Sequence, residues 1–328
     1  MRVKLFAVSG LLLLSPLYAA FASSFTQLVV FGDSLSDNGN ASIATAGLLP
    51  GANYGSYTFS GGLTTSYFSD GANTTPVAAG QPGVWVDKLA TDLGVVDPQP
   101  ALALTGGTNF AVGGAQTGTA TPQDMGNQIA LYTASHPGGA SATALYALWG
   151  GANDILDGNS PTQAADNVAK YISALAADGA KNFVWLNLPL LGDTPAGAVD
   201  KTALNAASVA FDSRWAFDLA ALEGSGIKVD GVNIEALFAD ILGNPGKYGL
   251  TNVTQSAQGL NIPNDAGYLF WDGRHPTTAV HTLVADAVHA SLVATPEPAS
   301  VGFAGLGVLA LAGLSLRKRS SSAAAKRS

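Results

Sequence analysis

Two short, wholly apolar runs constrain this chain most: Leu28-Val29-Val30-Phe31, closed by Gly32, and Ala144-Leu145-Tyr146-Ala147-Leu148-Trp149, closed by Gly150-Gly151. Each reads as a buried strand ended by a residue free to turn. Asn182 to Leu188 reads as a third strand, and the clearest helix of the sequence precedes it. Ser160 can cap that helix, Pro161 suits its first position, and Ala165, Val168, Ile172, Leu175 and Ala176 recur at helical spacing before Gly179 ends it. Strand, helix, strand is the unit of a parallel sheet with crossover helices, so an α/β domain is expected. Further helices are expected over Thr202 to Leu222 and from about Thr278 to Leu292. Leu48 to Pro82 is different, rich in Gly, Thr, Ser and Asn with Tyr54, Tyr57, Phe59, Tyr67 and Phe68 interspersed. It reads as a long irregular insertion over one face, its aromatics packing the loop onto the domain or, alternatively, lining a substrate cleft.

Neither end reads as part of that domain. Arg2 and Lys4 precede the apolar run Leu5 to Leu14, and Ala20-Phe21-Ala22 supplies small residues for cleavage. Residues 1–22 therefore read as a secretory signal peptide. At the other end Pro296-Glu297-Pro298 is followed by an apolar stretch, Val301 to Leu316, and by Arg317-Lys318-Arg319. That stretch is shorter than the roughly 20 residues a helix needs to cross a bilayer comfortably. The domain is thus expected at residues 23–294, with a separate tail at 295–328. Between Ser23 and Ala294 lie 22 acidic and 8 basic residues, a formal net charge of −14 against −8 for the whole chain. Such a surface repels nucleic acid and anionic membranes at long range, which argues against a nucleic-acid partner. The chain has no cysteine, so an exported form must be stabilised by its core rather than by disulfides. About 270 residues suit one domain with a sizeable core.

Ser34 follows the first strand on the turn Gly32-Asp33-Ser34-Leu35, at the strand's carboxyl end, where a cleft is expected. An ordinary surface turn is the alternative. A calcium loop on Asp33, Asp37 and Gly39 is a weaker one, since Leu35 and Asn38 stand where an oxygen ligand and a glycine are needed. A serine nucleophile requires a base to take its proton and donors to hold an oxyanion. Asp272-Gly273-Arg274-His275 can set a carboxylate beside an imidazole within one turn. Asn153, in Gly151-Ala152-Asn153-Asp154, follows the second strand on the same side as Ser34, and Asn109-Phe110-Ala111-Val112-Gly113-Gly114 ends where a backbone amide can approach a substrate. Turns or caps explain each of these segments singly. His136, His281 and His289 read as surface or packing residues, and four histidines without cysteine make no convincing metal set.

Together these segments, in this order, resemble the SGNH or GDSL hydrolase family over almost the whole span from Gln27 to Leu292. The resemblance implies a flavodoxin-like three-layer α/β/α fold with a parallel central sheet. It also implies Ser34 as nucleophile, Asp272 and His275 as acid and base, and an oxyanion hole from the Ser34 and Gly114 amides and the Asn153 side chain. No metal or organic cofactor is implied. Phe68-Ser69-Asp70-Gly71, Trp85, Leu89 to Gly94, Asn187-Leu188-Pro189 and Trp271 resemble the thermolabile-haemolysin-like and plant-lipase branch, with an apparent insertion between Gly71 and Trp85. The C-terminal order resembles the PEP-CTERM sorting signal of polysaccharide-exporting Gram-negative bacteria, which is cut by an exosortase. That implies an exosortase-type partner, transient membrane association and release or surface attachment, with a plain membrane anchor as the alternative. The expected function is a secreted serine esterase or lipase acting on a lipid, a small ester or an acylated glycan. The alternatives are a carbohydrate O-acetylesterase acting on exported polysaccharide and a non-catalytic matrix or surface-binding protein.

Overall fold

The computed structural model describes residues 25–59, 61–70, 83–104, 106–260, 262 and 267–294. The signal peptide and sorting tail expected at 1–22 and 295–328 lie outside the described residues, as do residues 60 and 71–82 of the insertion. The strands are β1 (Gln27–Gly32), β2 (Ser56–Thr58), β3 (Thr64–Ser66), β4 (Ala144–Trp149), β5 (Asn182–Leu186), β6 (Val229–Val232), β7 (Asn252–Ser256) and β8 (Tyr268–Phe270). The α-helices are α1 (Asn40–Ala44), α2 (Trp85–Leu93), α3 (Met125–Ser135), α4 (Ala152–Leu156), α5 (Pro161–Ala177), α6 (Lys201–Gly224), α7 (Ile234–Gly243) and α8 (Thr278–Ala294).

The central sheet is parallel, in the order β1-β4-β5-β6. Leu28 faces Leu145 across the first pair, and Leu148 faces Trp185 across the second. The segment Asn109 to Val112 runs along the free edge of β1, where Phe110 N donates to the Val30 carbonyl at 2.8 Å and Val112 N to the Gly32 carbonyl at 3.2 Å. Counted as a strand, it gives the sheet the flavodoxin-like order in which the second strand flanks the first. Every residue of β4 is buried, which requires cover on both faces. Helices α2, α7 and α8 pack together as one layer, and α3, α5 and α6 as the other.

Local sequence explains most of these elements. Ser160 Oγ accepts from Gln163 N at 3.2 Å, Pro161 opens α5, and Ala165, Val168, Ile172 and Leu175 form its buried stripe. The insertion is more ordered than expected: β2 and β3 pair as an antiparallel hairpin, Phe59 and Tyr67 are buried, and Thr65 Oγ1 donates to the Asn38 carbonyl. Its strands, Ser-Tyr-Thr and Thr-Thr-Ser, have no apolar run to announce them. The same is true of β6, whose Val-Asp-Gly-Val is short and contains a charge.

The inner face of α8 buries His281, which is 1% exposed and has neither ring nitrogen hydrogen-bonded. Burial, and then the charge of His275, pushes its imidazole down to about 3. The unfolded chain takes up that proton near about pH 6.5, so between the two values falling pH favours the unfolded state. His281→Leu is expected to flatten the loss of Tm between about pH 6.5 and about pH 4 in thermal unfolding, an interval inside that window. An unchanged slope would contradict the assignment.

Candidate active site

The turn after β1 is built on polar groups shut away from water. A Cβ on Gly32 would stand 2.3 Å from the Trp149 carbonyl oxygen, so only glycine lets β1 and β4 come together at this edge. Beyond it, Ser36 N and Asp37 N both donate to the Asp33 carbonyl. Asp37 is fully buried, and its carboxylate gathers four backbone donors: Gly39 N and Asn40 N on Oδ1, Ala41 N and Gly113 N on Oδ2, at 2.6 to 3.0 Å. Those oxygens are turned to N–H groups, the reverse of what an ion loop needs. Burial nonetheless pushes both Asp33 and Asp37 up to about 6, outweighing their hydrogen bonds. Asn109 Nδ2 donates to the Ser36 carbonyl and Asn38 Oδ1, while Asn40 Nδ2 donates to the Asn109 and Ala111 carbonyls. The serine turn and the Asn109–Gly114 segment are therefore laced into one body.

Ser34, at the end of β1, meets a loop 241 residues away. His275 Nε2 lies 2.8 Å from Ser34 Oγ, and His275 Nδ1 lies 2.6 Å from Asp272 Oδ2. Asp272 Oδ1 accepts from the backbone N–H groups of Arg274 and His275, both at 2.7 Å, and Trp271 N closes the turn on the His275 carbonyl. Burial opposes the charge on Asp272. The His275 ring and backbone N–H, with the Tyr54 hydroxyl, outweigh that and hold the carboxyl well below the usual carboxylate range. An ionised carboxylate only accepts, so Nδ1 carries the imidazole proton and Nε2 is left to accept from Ser34.

Asn153, on α4 after β4, lines the same cleft as Ser34 and His275. One of its amide hydrogens goes to the Ala115 carbonyl at 2.9 Å. Asp154 accepts from Thr117 N and Thr117 Oγ1, so the turn after β4 pins the loop that contains Gly114. Gly114 has φ +79°, beyond the Gly113 amide that Asp37 holds. Ser34, Asn153 and His275 line a cleft of about 640 Å³, counted out to its solvent-open mouth, and Gly114 is not among its lining residues. Its lining is mostly apolar, with Leu35, Leu191, Phe238 and Phe270 among the contributors and Arg274 at the acid–base loop. A second hollow shares Pro189, Thr194, Phe238 and Phe270 with it and reaches Leu242, with Asp193 and Glu235 also in its otherwise apolar lining. Among the described residues there is no group of three or more His, Cys, Asp or Glu that could hold a metal ion.

Several contributors carry no motif of their own. Asp37 reads in the sequence as a turn residue or a weak ion-loop candidate until its four donors are seen. Two of the insertion's aromatics reach the site: the Phe68 ring lies 5.2 Å from the His275 ring, and Tyr54 reaches Asp272. Tyr67 and Phe59 instead pack inward, the expected packing use, and none of the insertion's five aromatics is among the residues that line the cleft. Of the other histidines, His281 packs in the core and His136 stacks on Tyr132.

Comparison with known proteins gives one family over most of the chain. A sequence model of the GDSL-like lipase/acylhydrolase family matches residues 28–288, and one of the PEP-CTERM protein-sorting motif matches residues 294–319. An uncharacterised protein of Pseudomonas putida is 29% identical, over 89% of this chain and 52% of its own length. A GDSL esterase/lipase of Arabidopsis thaliana is 26% identical over 78% and 84%, and esterase EstA of Pseudomonas aeruginosa 30% identical over 84% and 48%. The chain thus spans about half the length of these two bacterial relatives. A solved lipolytic protein of the G-D-S-L family from Veillonella parvula aligns over 80% of this chain and 96% of its own, at a TM-score of 0.45 and 17% identity.

Asp37→Ala leaves four backbone N–H groups without this acceptor, three in the buried turn after it and one on the half-buried Gly113. At about 1–3 kcal/mol for each unsatisfied donor, partly relieved by entering water, a loss of at least about 3 kcal/mol is expected in urea unfolding. A loss under about 1 kcal/mol would mean that the loop does not depend on this carboxylate.

Proposed function

The chain belongs to the GDSL-like lipase/acylhydrolase family, and on that premise we propose that it hydrolyses carboxylic esters through an acyl-serine intermediate. The observation that carries this reading is the unbroken line of hydrogen bonds from Ser34 Oγ through His275 to Asp272. Ser34 Oγ attacks the ester carbonyl as its proton passes to His275 Nε2, and Asp272 stabilises the imidazolium that forms. The tetrahedral oxyanion is held by the Ser34 and Gly114 amides and the free hydrogen of the Asn153 side-chain amide. Collapse expels the alcohol with the proton from His275. Water then gives a proton to His275 and attacks the acyl group, releasing the acid and restoring Ser34.

The apolar cleft and its continuation to Leu242 favour an apolar acyl chain over the acetyl group of a carbohydrate, the alternative substrate. A non-catalytic binding protein would have no need of a buried carboxylate aligned on a histidine and a serine. The chain carries a PEP-CTERM sorting motif at residues 294–319, which marks proteins for extracellular or surface sorting. We extend this to export through the N-terminal segment, processing by an exosortase-type protease and passing membrane contact through the C-terminal segment.

A fluorophosphonate probe is expected to label the native protein and not Ser34→Ala, which should also lose ester hydrolysis; labelling of the variant would remove Ser34 from the role. Asn153→Ala is expected to lower kcat by at least about a hundredfold, the usual effect of losing one oxyanion donor. With p-nitrophenyl esters of rising chain length, kcat/KM should peak beyond acetate, and Leu242→Trp should move the peak to shorter chains. A peak at acetate in the native protein would favour the acetylesterase instead.

A further inference from the structure

The line of hydrogen bonds does not stop at Asp272. Tyr54, from the insertion, donates its hydroxyl to Asp272 Oδ2 at 2.6 Å, the same oxygen that faces His275 Nδ1. The Tyr54 ring is held by edge contacts with Phe68 and Trp271, at centroid distances of 6.2 and 6.3 Å. Nearby, Ser69 Oγ donates to the Pro276 carbonyl at 2.9 Å, and Asp70 Oδ2 accepts from Thr278 N at 3.0 Å at the start of α8. The insertion thus grips the acid–base loop on both sides of His275.

These contacts divide the work at Asp272. Oδ1 is held by the backbone N–H groups of Arg274 and His275, which keep the carboxyl in place whatever residue 54 is. The Tyr54 hydroxyl acts only on Oδ2, where it competes with the imidazole for the carboxylate's charge. With four donors on two oxygens the carboxylate has no acceptor site left. Burial and the adjoining carboxylate push the Tyr54 hydroxyl up from its ordinary value, so it remains a donor throughout the pH range in which the site would work.

We propose that Tyr54 is a fourth member of the Ser34–His275–Asp272 line, a positioning residue that disperses the charge on Asp272 Oδ2 and so sets the pH at which His275 can accept the Ser34 proton. The link to rate rests on the ester-hydrolase reading above, but the coupling of Tyr54 to His275 does not. Taking the hydroxyl away concentrates charge on Oδ2 and favours the protonated imidazole, so the basic form is reached at higher pH. Among the described residues, Asp33, His281 and Arg274 are the other charged or titratable groups found around His275, and Tyr54→Phe alters none of them.

The test compares native protein, Tyr54→Phe and Tyr57→Phe, the last removing a hydroxyl from the same insertion on the hairpin, away from Asp272. The His275 ring is titrated by its 1H–15N resonances, and kcat/KM is measured against pH on a p-nitrophenyl ester. In Tyr54→Phe the ring titration and the acid limb of the rate profile should both move to higher pH by roughly half a unit or more. At a pH below that limb kcat should fall about threefold with KM little changed, the factor by which half a unit lowers the share of basic imidazole. Tyr57→Phe should leave the titration in place. A ring titration identical in native protein and Tyr54→Phe overturns the proposal, as does an equal displacement in Tyr57→Phe. If the native protein hydrolyses no ester, the ester-hydrolase reading fails, while the ring titration still decides whether Tyr54 acts on His275.

Discussion

Asp37 is a carboxylate without water, set in a loop whose own amides are equally cut off. Burying either alone would be costly, since an unpaired buried charge or amide forfeits its solvation. Placed together, each satisfies the other. Three of the four donors come from the chain just after Asp37 and the fourth from Gly113, on the segment that runs along β1. One buried group therefore fixes the shape of the serine turn and its distance from the Gly114 loop. Asn40 and Asn109 repeat the arrangement with side-chain amides.

From that base the site is assembled by elements that share an edge of the sheet. β1 and β4 end side by side, so the turns after them present Ser34 and Asn153 to one cleft. The base arrives from far along the chain, on a loop with no strand of the central sheet beneath it. That loop is held by its own Asp272 turn and by the insertion, through Ser69, Asp70 and Tyr54. A segment that reads as decoration over one face is thus part of the support of the acid–base pair. The aromatic rings of Phe68 and Tyr54 wall off the imidazole and the carboxylate from that side.

Much of this was legible in residue order. Uninterrupted apolar runs announce β1 and β4 because a strand buried on both faces admits nothing else, and α5 carries its cap, its proline and its stripe in plain sight. The hairpin, β6 and the small sheet of β7 and β8 have no such pattern, being short, partly exposed or polar, and their pairing depends on contacts with distant segments. Asp37 and Tyr54 were illegible as contributors for a related reason: an aspartate in a turn and a tyrosine in a loop are common, and what distinguishes these two is the partner each one meets.

By itself the sequence determined the α/β class of the fold and set Ser34, Gly114, Asn153, Asp272 and His275 at turns that follow apolar segments or precede a helix. Those turns are local matters, fixed by periodicity and turn chemistry, whereas the grouping of the five residues and the sorting motif at residues 294–319 were legible through resemblance to known families. Only the tertiary structure decided that His275 Nε2 faces Ser34 Oγ, that Asp37 spends its charge on backbone amides rather than on an ion, and that Tyr54 shares an oxygen of Asp272 with the imidazole. The physical reason is that hydrogen bonds act over about 3 Å, whereas the residues they join here lie up to 241 positions apart.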